Sequence, residues 1–271
     1  MPELPEVETI RSQLSHYLPF KIEKMSTTPE LKRNILHTKI DLVGRTLLEI
    51  KRKGKMLNFI FDDGTHLLSH LGMTGVWLAA AEVSKEKHNH LILEGTNAAG
   101  AFTLTYNDYR RFGHIYHLDH VGAEKKLNEL GLDLTDPNYT VEHLTAAIQR
   151  YPERALKVTL LDQKIFAGSG NYIANEICAR AGIRPTRKCK KILASEFPKI
   201  FDAIHAVLNP AIASGGTTFQ GGYRDSTGER GQGINHLVVF WQKTCQLCKK
   251  TKVKKISLAQ RGTYYCPTCQ K

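Results

Sequence analysis

The sequence lacks the long apolar run that a membrane-spanning helix requires. No stretch of the 271 residues approaches the roughly 18 to 20 consecutive apolar side chains that cross a bilayer. The N-terminus, MPELPEVET, also lacks the basic, apolar start of a secretory signal peptide. Neither an internal repeat nor a low-complexity tract is present. From these absences we expect a soluble, intracellular protein without a membrane partner.

Acidic residues are few compared with basic ones. The 26 Asp and Glu stand against 38 Lys and Arg, which gives a formal charge of +12 and a pI near 9.4. A basic excess of this size favours a polyanionic partner, with nucleic acid first and an anionic membrane surface second. The length and the 41% of apolar residues allow two compact domains, each with its own core.

Cysteine is also scarce, but four of the six cysteines fall into two C-x-x-C pairs near the C-terminus. Seventeen residues separate the pairs, and Cys178 and Cys189 stand apart from them. Four thiolates at this spacing can close a tetrahedral shell around one structural Zn²⁺, with the pairs at the ends of a β-hairpin. The predicted metal ligands are Cys245, Cys248, Cys266 and Cys269.

Apolar periodicity divides the chain into a β-rich first part and a helical second part. An amphipathic helix is predicted to begin almost at residue 3, and the region from Leu47 to about Ile115 reads as a sandwich or a barrel with a hairpin turn at 62–65. A polar linker is expected before Asn138. Further helices are predicted from the following ranges: 140–150, 155–161, 171–181 and 194–214, the last bent or interrupted at Pro210.

Two segments of the second part suggest contacts with phosphate. The glycine turn before Asn171 leaves the N–H groups of a helix N-terminus open, which suits an anion. The stretch 243–271 carries eight basic residues and no acidic one, so we expect the hairpin to lie on a phosphate backbone through Arg261. The alternative is a solvated charged face that touches nothing. A glycine-rich segment, 215–236, is predicted to be functional or disordered.

The N-terminus offers a possible nucleophile. Removal of the initiator Met would expose the secondary amine of Pro2, with Glu3 and Glu6 in the first helical turn. An α-amino group titrates near 8, so a useful fraction is neutral and nucleophilic at physiological pH. On these residues alone, an ordinary helix start with carboxylates matched to the helix dipole is the more common explanation.

Six short motifs occur in order along nearly the whole chain. They are Pro2-Glu3-Leu4-Pro5-Glu6-Val7-Glu8-Thr9, Arg52-Lys53-Gly54-Lys55, His70-Leu71-Gly72-Met73-Thr74-Gly75, Asp108-Tyr109-Arg110-Arg111-Phe112-Gly113, Leu160-Leu161-Asp162-Gln163 with Gly168-Ser169-Gly170-Asn171, and Gln260-Arg261-Gly262-Thr263. A chain with all six in this order resembles the bacterial formamidopyrimidine-DNA glycosylase and endonuclease VIII family, most closely its formamidopyrimidine branch.

The resemblance implies a bifunctional DNA glycosylase and AP lyase of base excision repair. Pro2 would attack C1′ of the damaged nucleotide, Glu3 would act as acid and base, and Glu6 would support them. Lys55, expected on a strand after Gly54, would bind phosphate and assist catalysis. The resulting Schiff base would lead to β- and δ-elimination.

The resemblance further implies that the base is flipped out of the duplex. Met73, Arg110 and Phe112 would fill the void, whereas on residue type alone a Met and a Phe are more often core residues. The partner would be double-stranded DNA with oxidised bases or abasic sites, bound by a monomer. Other residues at family positions that contact DNA are His90, Arg111, Lys157, Asn171 and Arg261.

The departures from the family pattern concern base preference. Gly170-Asn171 is followed by Tyr172 and by Asn175-Glu176, which is similar to the endonuclease VIII side and its oxidised pyrimidines. The opening motif, Met73 and the run Arg111-Phe112-Gly113 are those of the formamidopyrimidine branch, which implies oxidised purines such as 8-oxoguanine. The segment 215–236, where the family holds a lid over the base, is unfamiliar after residue 219.

The expected fold class is α+β. An N-terminal catalytic β-sandwich with flanking helices is predicted at 1–125, followed by a linker at 126–138. A helix–two-turn–helix domain with a lesion-capping loop is predicted at 139–236, and a four-cysteine zinc ribbon on a β-hairpin at 237–271. Two rivals remain, namely a non-catalytic damaged-DNA-binding protein and a Mg²⁺-dependent nuclease with a zinc ribbon.

Overall fold

The computed structural model describes residues 2–83, 85–220 and 222–271. The chain divides into two compact units. The first comprises Met1–Glu129 together with Ser214–Gln232, and the second comprises Leu130–Ala213 together with Gly233–Lys271.

The first unit begins with helix α1, Leu4–Ser15. Glu3 caps the helix in a reciprocal box, because its side chain accepts from the backbone of Glu6 while the Glu6 carboxylate accepts from the Glu3 N–H at 2.7 Å. Apolar residues at three- and four-residue spacing, among them Val7 and Ile10, are fully buried. The predicted start of this helix is therefore confirmed to within one residue.

Eight antiparallel strands form the sheet of the first unit. Their order in the sheet is β5-β7-β6-β1-β2-β3-β4-β8. Their bounds are β1 Phe20–Thr27, β2 Thr46–Lys53, β3 Met56–Phe61, β4 His66–His70, β5 Val76–Ala80, β6 Asn89–Asn97, β7 Gly100–Asn107 and β8 His114–Leu118.

The sheet folds over itself around one core. Trp77 in the edge strand β5 packs on Phe59 in β3, with ring centroids 4.9 Å apart, and its indole N–H donates to Ser69 in β4 at 3.0 Å. Residues so far apart in strand order can meet only if the two halves of the sheet face each other. Among the described strands, β5 and β8 are not paired, so the sheet is an open sandwich rather than a closed barrel.

The second unit is helical. Its helices are α3 Val141–Gln149, α4 Leu156–Leu161, α5 Asn171–Arg180 and α6 Phe197–Ala213, and a short parallel pair joins β9 Leu132–Asp133 to β10 Phe166–Ala167. Thr140 caps α3 through its hydroxyl, which accepts from the His143 N–H, and α3 lies within the helix predicted at 140–150. The unit ends in a hairpin of β11 Lys254–Leu258 and β12 Arg261–Tyr265.

Three expectations from the sequence differ from the structure. The polar stretch assigned to a linker contains the end of helix α2, His120–Leu127, with Asp119 as its cap, and the short strand β9. Helix α6 runs through Pro210 to Ala213 without interruption. Residues 214–232 pack with the first unit instead of the helical domain to which the sequence assigned them. No helix in the described part of the chain has both the length and the apolarity to span a bilayer.

Candidate active site and nucleic-acid contacts

Pro2 lies on the wall of a cavity of about 530 Å³ in the first unit. This volume is within the usual range for a small-molecule site. The opposite sides of the cavity come from the turn after β4, the segment before β6 and residues 222–230. Lining residues besides Pro2 include Met73, His88, Tyr109, Tyr223 and Arg230.

Two buried carboxylates stand beside Pro2. Glu3 is 4% exposed and Glu6 is 1% exposed. The Glu6 carboxylate accepts from the Glu3 N–H on one side and from the Thr217 N–H, at 2.6 Å, on the other. It thus ties the start of α1 to the segment 214–232. Among the described residues, none forms a hydrogen bond with the buried hydroxyl of Thr217, so this hydroxyl can bind a polar group of a ligand or a water.

The segment 214–232 is held on α1 by a second set of bonds. The Gln13 side chain donates to the Asp225 carboxylate at 2.7 Å and accepts from the N–H and the hydroxyl of Ser226 at 3.0 and 2.6 Å. The Tyr223 hydroxyl donates to the Glu6 carbonyl at 3.3 Å. The cavity wall that this segment supplies is therefore fastened to α1 by side-chain hydrogen bonds.

Lys55 lies in the turn between β2 and β3, not on a strand as the sequence suggested. It is 8% exposed. The adjacent Gly54 has φ +59, and its carbonyl accepts from Arg52 at 2.9 Å. Arg52 also donates to the Glu8 carboxylate at 2.8 Å. The turn that carries Lys55 is thus joined to the helix that follows Pro2.

His70, at the end of β4, is kept neutral. Its burial, with the charges of Lys55 and His114 nearby, lowers the pKa of the imidazole to about 4. Its Nδ1 accepts from the Gly72 N–H at 3.1 Å, which requires the tautomer protonated on Nε2. Near neutral pH, His70 can therefore offer an N–H to a phosphate or a water but adds no charge.

The three predicted void-filling residues lie on two loops of the first unit that one buried carboxylate holds together. Asp108 is fully buried, and it accepts from the Thr74 hydroxyl, from the Arg110 N–H at 3.3 Å and from the Gly113 N–H at 2.9 Å. Thr74 belongs to the loop of Met73. The resemblance assigned no role to Asp108, although its motif contained the residue.

These loops expose apolar and cationic side chains. Met73 is 37% and Phe112 48% exposed, and the Arg110 guanidinium lies 4.8 Å from the centre of the Phe112 ring. A Cβ on Gly72 would lie 2.2 Å from the Phe112 carbonyl oxygen, so only glycine permits this approach. Arg111, also exposed, has φ +58. Exposed apolar groups on so constrained a framework are typical of a binding surface.

His90 does not reach this surface. It is 3% exposed, and its ring nitrogens bond to the Thr28 hydroxyl at 2.8 Å and the Asp108 carbonyl at 3.1 Å. The geometry places it behind the 108–113 loop, where it supports Asp108. Direct contact of His90 with DNA, which the resemblance implied, does not fit this position.

In the second unit, Asn171 opens helix α5 after the glycine turn. The N-cap residue is Gly170, in an extended backbone conformation, and as a glycine it has no side chain with which to cap the helix. The Gln163 side chain shapes the turn, donating to the Ser169 carbonyl at 2.6 Å and accepting from the Gly168 N–H at 3.1 Å. The anion site that the sequence suggests at this helix start stays a prediction.

Lys157 lies beneath Asn171 rather than on the surface. It is fully buried, and its ammonium donates to the Asn171 side-chain oxygen at 2.9 Å and to the Thr263 hydroxyl at 2.8 Å. Asn171 in turn donates to the Gly262 carbonyl at 3.1 Å. Lys157 therefore positions Asn171 and the hairpin turn, and does not itself touch a phosphate in this arrangement. Arg261, next to Gly262, is exposed.

Two further buried side chains fasten the zinc ribbon to α5. Asn175 accepts from the Tyr264 N–H at 2.7 Å and donates to the Asn171 carbonyl at 2.7 Å. Glu176 accepts from the N–H groups of Val238, Val239 and Phe240 at 2.7 to 2.9 Å. Burial raises the pKa of Glu176, although these three donors oppose the shift.

The four predicted cysteines come together. Their sulfur atoms all lie within 4.8 Å of one another, and two of the separations are 3.9 Å. Tetrahedral Zn²⁺ with Zn–S bonds near 2.3 Å requires sulfur atoms about 3.8 Å apart, so the site fits one zinc ion with no open position. Such a closed site is structural.

Three family models match the chain. The formamidopyrimidine-DNA glycosylase N-terminal domain matches residues 1–115, the formamidopyrimidine-DNA glycosylase H2TH domain matches residues 130–221, and the zinc finger found in FPG and IleRS matches residues 242–271. The last of these agrees with the zinc ribbon described above.

Curated relatives and solved structures of formamidopyrimidine-DNA glycosylases are similar to the chain over its full length. A formamidopyrimidine-DNA glycosylase of Desulfitobacterium hafniense is 37% identical, with all of both chains covered. The structure of MutM in complex with DNA containing carbocyclic 8-oxo-G superposes with a TM-score of 0.87 at 30% identity, covering all of both chains. The structure of Lactococcus lactis Fpg (MutM) in complex with DNA containing an oxidised pyrimidine superposes with a TM-score of 0.86 at 30% identity, and all of both chains is covered.

Proposed function

Since the chain belongs to the formamidopyrimidine-DNA glycosylase family, we propose that it excises oxidised purines from duplex DNA and then cleaves the backbone at the abasic site. The observation that carries the proposal is the position of Pro2 on the wall of a ligand-sized cavity, beside the buried carboxylates of Glu3 and Glu6. Relatives with this name and the MutM complex with 8-oxo-G DNA support it.

The proposed chemistry begins with the imino nitrogen of Pro2 as the mature N-terminus. The nitrogen attacks C1′ and gives up its proton, while the base departs with the electron pair of the glycosidic bond and takes up a proton. Glu3 gives a proton to the ring oxygen as the sugar opens, which leaves an iminium on Pro2. Loss of a C2′ proton expels the 3′ phosphate, and a second elimination expels the 5′ phosphate. Water then releases the sugar fragment from Pro2.

The cavity is the proposed pocket for the extruded base. A base must leave the stack before its sugar can be attacked, and the pocket beside Pro2 has room to receive it. The guanidinium groups of Arg224 and Arg230 line the pocket and can donate to carbonyl oxygens that oxidation adds to a base. Because donors of this kind suit both classes of oxidised base, and because L. lactis Fpg was solved with an oxidised pyrimidine, oxidised pyrimidines are the second candidate.

The proposed roles of the other residues in DNA binding depend on whether their side chains are exposed or buried. Met73, Arg110 and Phe112 would occupy the space that the base leaves, because they are presented on a fixed loop framework. Lys55 and the neutral His70 would hold the phosphate next to the lesion. Other proposed contacts with the DNA backbone are Arg111, Asn171 and Arg261. His90 and Lys157 are proposed as positioning residues.

We also infer that the protein works as a monomer on chromosomal DNA in the bacterial cytoplasm. The relatives reported above are bacterial, and DNA is the partner in the matched complexes. Sedimentation of the protein with and without a lesion duplex would check the one-to-one stoichiometry.

Borohydride trapping tests the enzyme proposal. Wild-type protein on duplexes carrying 8-oxoguanine, formamidopyrimidine, thymine glycol or dihydrouracil should give a covalent adduct at its N-terminal peptide, fastest with the purines. A protein that retains Met1, and so has no free amine on Pro2, should give no adduct at Pro2 while it still binds the duplex. A protein that binds but never traps would be a non-catalytic binding module, and activity lost on removing free Mg²⁺ would indicate a metal-dependent nuclease.

A further inference from the structure

Trp241 combines two features that are seldom found together. Its side chain is 47% exposed, and its backbone lies in the left-handed region at φ +60. A large side chain rarely adopts this conformation, and such outliers persist mainly where function maintains them. The only other tryptophan, Trp77, is fully buried in the sheet domain. Trp77 therefore belongs to a core, whereas about half of the Trp241 side chain faces solvent.

The chain around Trp241 is fixed on both sides. The three preceding N–H groups, ending with that of Phe240, are bound by the buried Glu176 carboxylate. The first zinc ligand, Cys245, follows four residues later and is itself buried. With both flanks held, the unusual backbone conformation presents the indole to solvent in a defined direction.

A series of aromatic contacts connects Trp241 with residues close in sequence to Asn171 and Arg261, the proposed phosphate contacts. Its ring lies parallel to that of Phe240, with 10° between the planes and 6.1 Å between the centroids. Phe240 packs edge-on against Tyr264, at 5.0 Å, and near Tyr172, at 6.4 Å. Tyr172 follows Asn171, and Tyr264 is three residues from Arg261.

The surrounding charge fits one kind of partner. Residues 243–271 carry eight basic side chains and no acidic one, and the Lys255 ammonium lies 5.5 Å from the centre of the Tyr264 ring. A polyanion is attracted to this surface, whereas an apolar protein partner would have to desolvate the lysines.

We propose that Trp241 is a DNA contact of the zinc ribbon that does not depend on the lesion. The indole packs against a deoxyribose of the duplex beside the phosphates bound by Asn171 and Arg261. A sugar is the preferred target because bases in intact duplex are stacked, and separating them costs free energy that this single ring would not recover. The inference rests on the proposed function, since it requires duplex DNA as partner.

Tryptophan fluorescence tests the contact directly. The zinc-loaded full-length protein is titrated with an undamaged duplex, and acrylamide quenching is measured before and after. Trp241→Phe supplies the signal of Trp77 alone. We expect DNA to protect the Trp241 emission from acrylamide. If the emission stays equally accessible in the DNA complex, or is already protected by self-association without DNA, the proposal is wrong.

Binding affinity gives an independent readout. Trp241→Gly, which suits φ +60, should weaken binding of undamaged duplex about five- to tenfold, with Trp241→Phe in between. The slope of log affinity against log salt should stay unchanged, because no cation is lost. Leu247→Ala is the matched control, since Leu247 is a 43% exposed apolar residue of the same ribbon.

The outcomes separate the inference from the function. Wild-type affinity for Trp241→Gly, or a loss equal to that of Leu247→Ala, overturns the role of Trp241 while leaving the glycosylase proposal intact. A reduced salt slope would show that the lysines have been displaced, so that the loss is structural, which also overturns the contact. If the wild-type protein binds no duplex at all, both proposals fail together.

Discussion

Arg52 joins the first helix to the turn that carries Lys55. Its side chain is only 6% exposed, and it donates to the Glu8 carboxylate at 2.8 Å and to the Gly54 carbonyl at 2.9 Å. Burial alone would raise the pKa of Glu8, but hydrogen bonds from Arg11 and Arg52 lower it, so the carboxylate remains charged near neutral pH. Pro2 and Lys55 are thus set on one framework.

We predict that Arg52→Ala slows base excision about tenfold or more in single-turnover assays. The loss of both bonds releases the Lys55 turn, and displacements near 1 Å in an active site have effects of this order. Arg11→Ala is the matched control, because Arg11 bonds to the same carboxylate but not to Gly54. Its rate of base excision should stay within about twofold of the wild-type rate. Equal effects of the two substitutions would contradict the positioning role of Arg52.

Gln13 provides a test of the segment 214–232. Gln13→Ala removes three hydrogen bonds to Asp225 and Ser226 and should loosen the pocket wall. Excision of an oxidised base should slow about tenfold, while cleavage at a preformed abasic site, which has no base to hold, should change little. Ser15→Ala, on the same helix, is the control. A similar loss on both substrates would mean that the helix itself has been disturbed.

The low pKa of His70 predicts a dependence of stability on pH. Its pKa is about 4 in the folded protein, against 6.5 ordinarily, so between these values the unfolded chain binds the proton more readily. This contribution to the free energy of unfolding is complete above about pH 6.5 and declines as the pH falls towards 4. The imidazole resonances in NMR should show His70 neutral at pH 5.5.

A substitution isolates the contribution of His70 from those of the other histidines. In denaturant unfolding, the free energy of unfolding of the His70→Gln variant should fall less than that of the wild type between pH 6.5 and 4. His16 is exposed, and the His16→Gln variant should show the same pH dependence as the wild type. A His70 that titrates near 6.5 would refute the buried environment described above.

Removal of zinc should act on DNA binding through α5. Cys266→Ser should lower the zinc content below one ion per chain and release the hairpin whose Thr263 and Gly262 contact Lys157 and Asn171. We expect at least about tenfold weaker binding of duplex, measured with zinc content by a chromogenic chelator. Cys178 is a buried cysteine outside the cluster, so Cys178→Ala should keep both the wild-type zinc content and the wild-type affinity for duplex. Full affinity without zinc would show that the ribbon does not organise the phosphate contacts.

Local patterns in the sequence determined a large part of this protein. The spacing of Cys245, Cys248, Cys266 and Cys269 predicts the zinc site because ligand geometry restricts the spacing that can close a shell. Apolar periodicity predicts α1, since the spacing acts within a few turns of the chain, and the structure adds the capping box of Glu3 and Glu6. The family motifs indicated Pro2 and Glu3, and the structure places Pro2 on the cavity wall and buries Glu3 next to it in the chain.

Only the tertiary structure decided which side chains face outward and which support them. Glu6 meets Thr217 across 211 positions of sequence, and Lys157 meets Thr263 across 106, so no local signal could have shown that residues 214–232 belong with the first unit or that Lys157 is buried. The same holds for His90 and Asp108. Their hydrogen-bond partners lie on other strands and loops, and sequence periodicity carries no information about contacts at that separation.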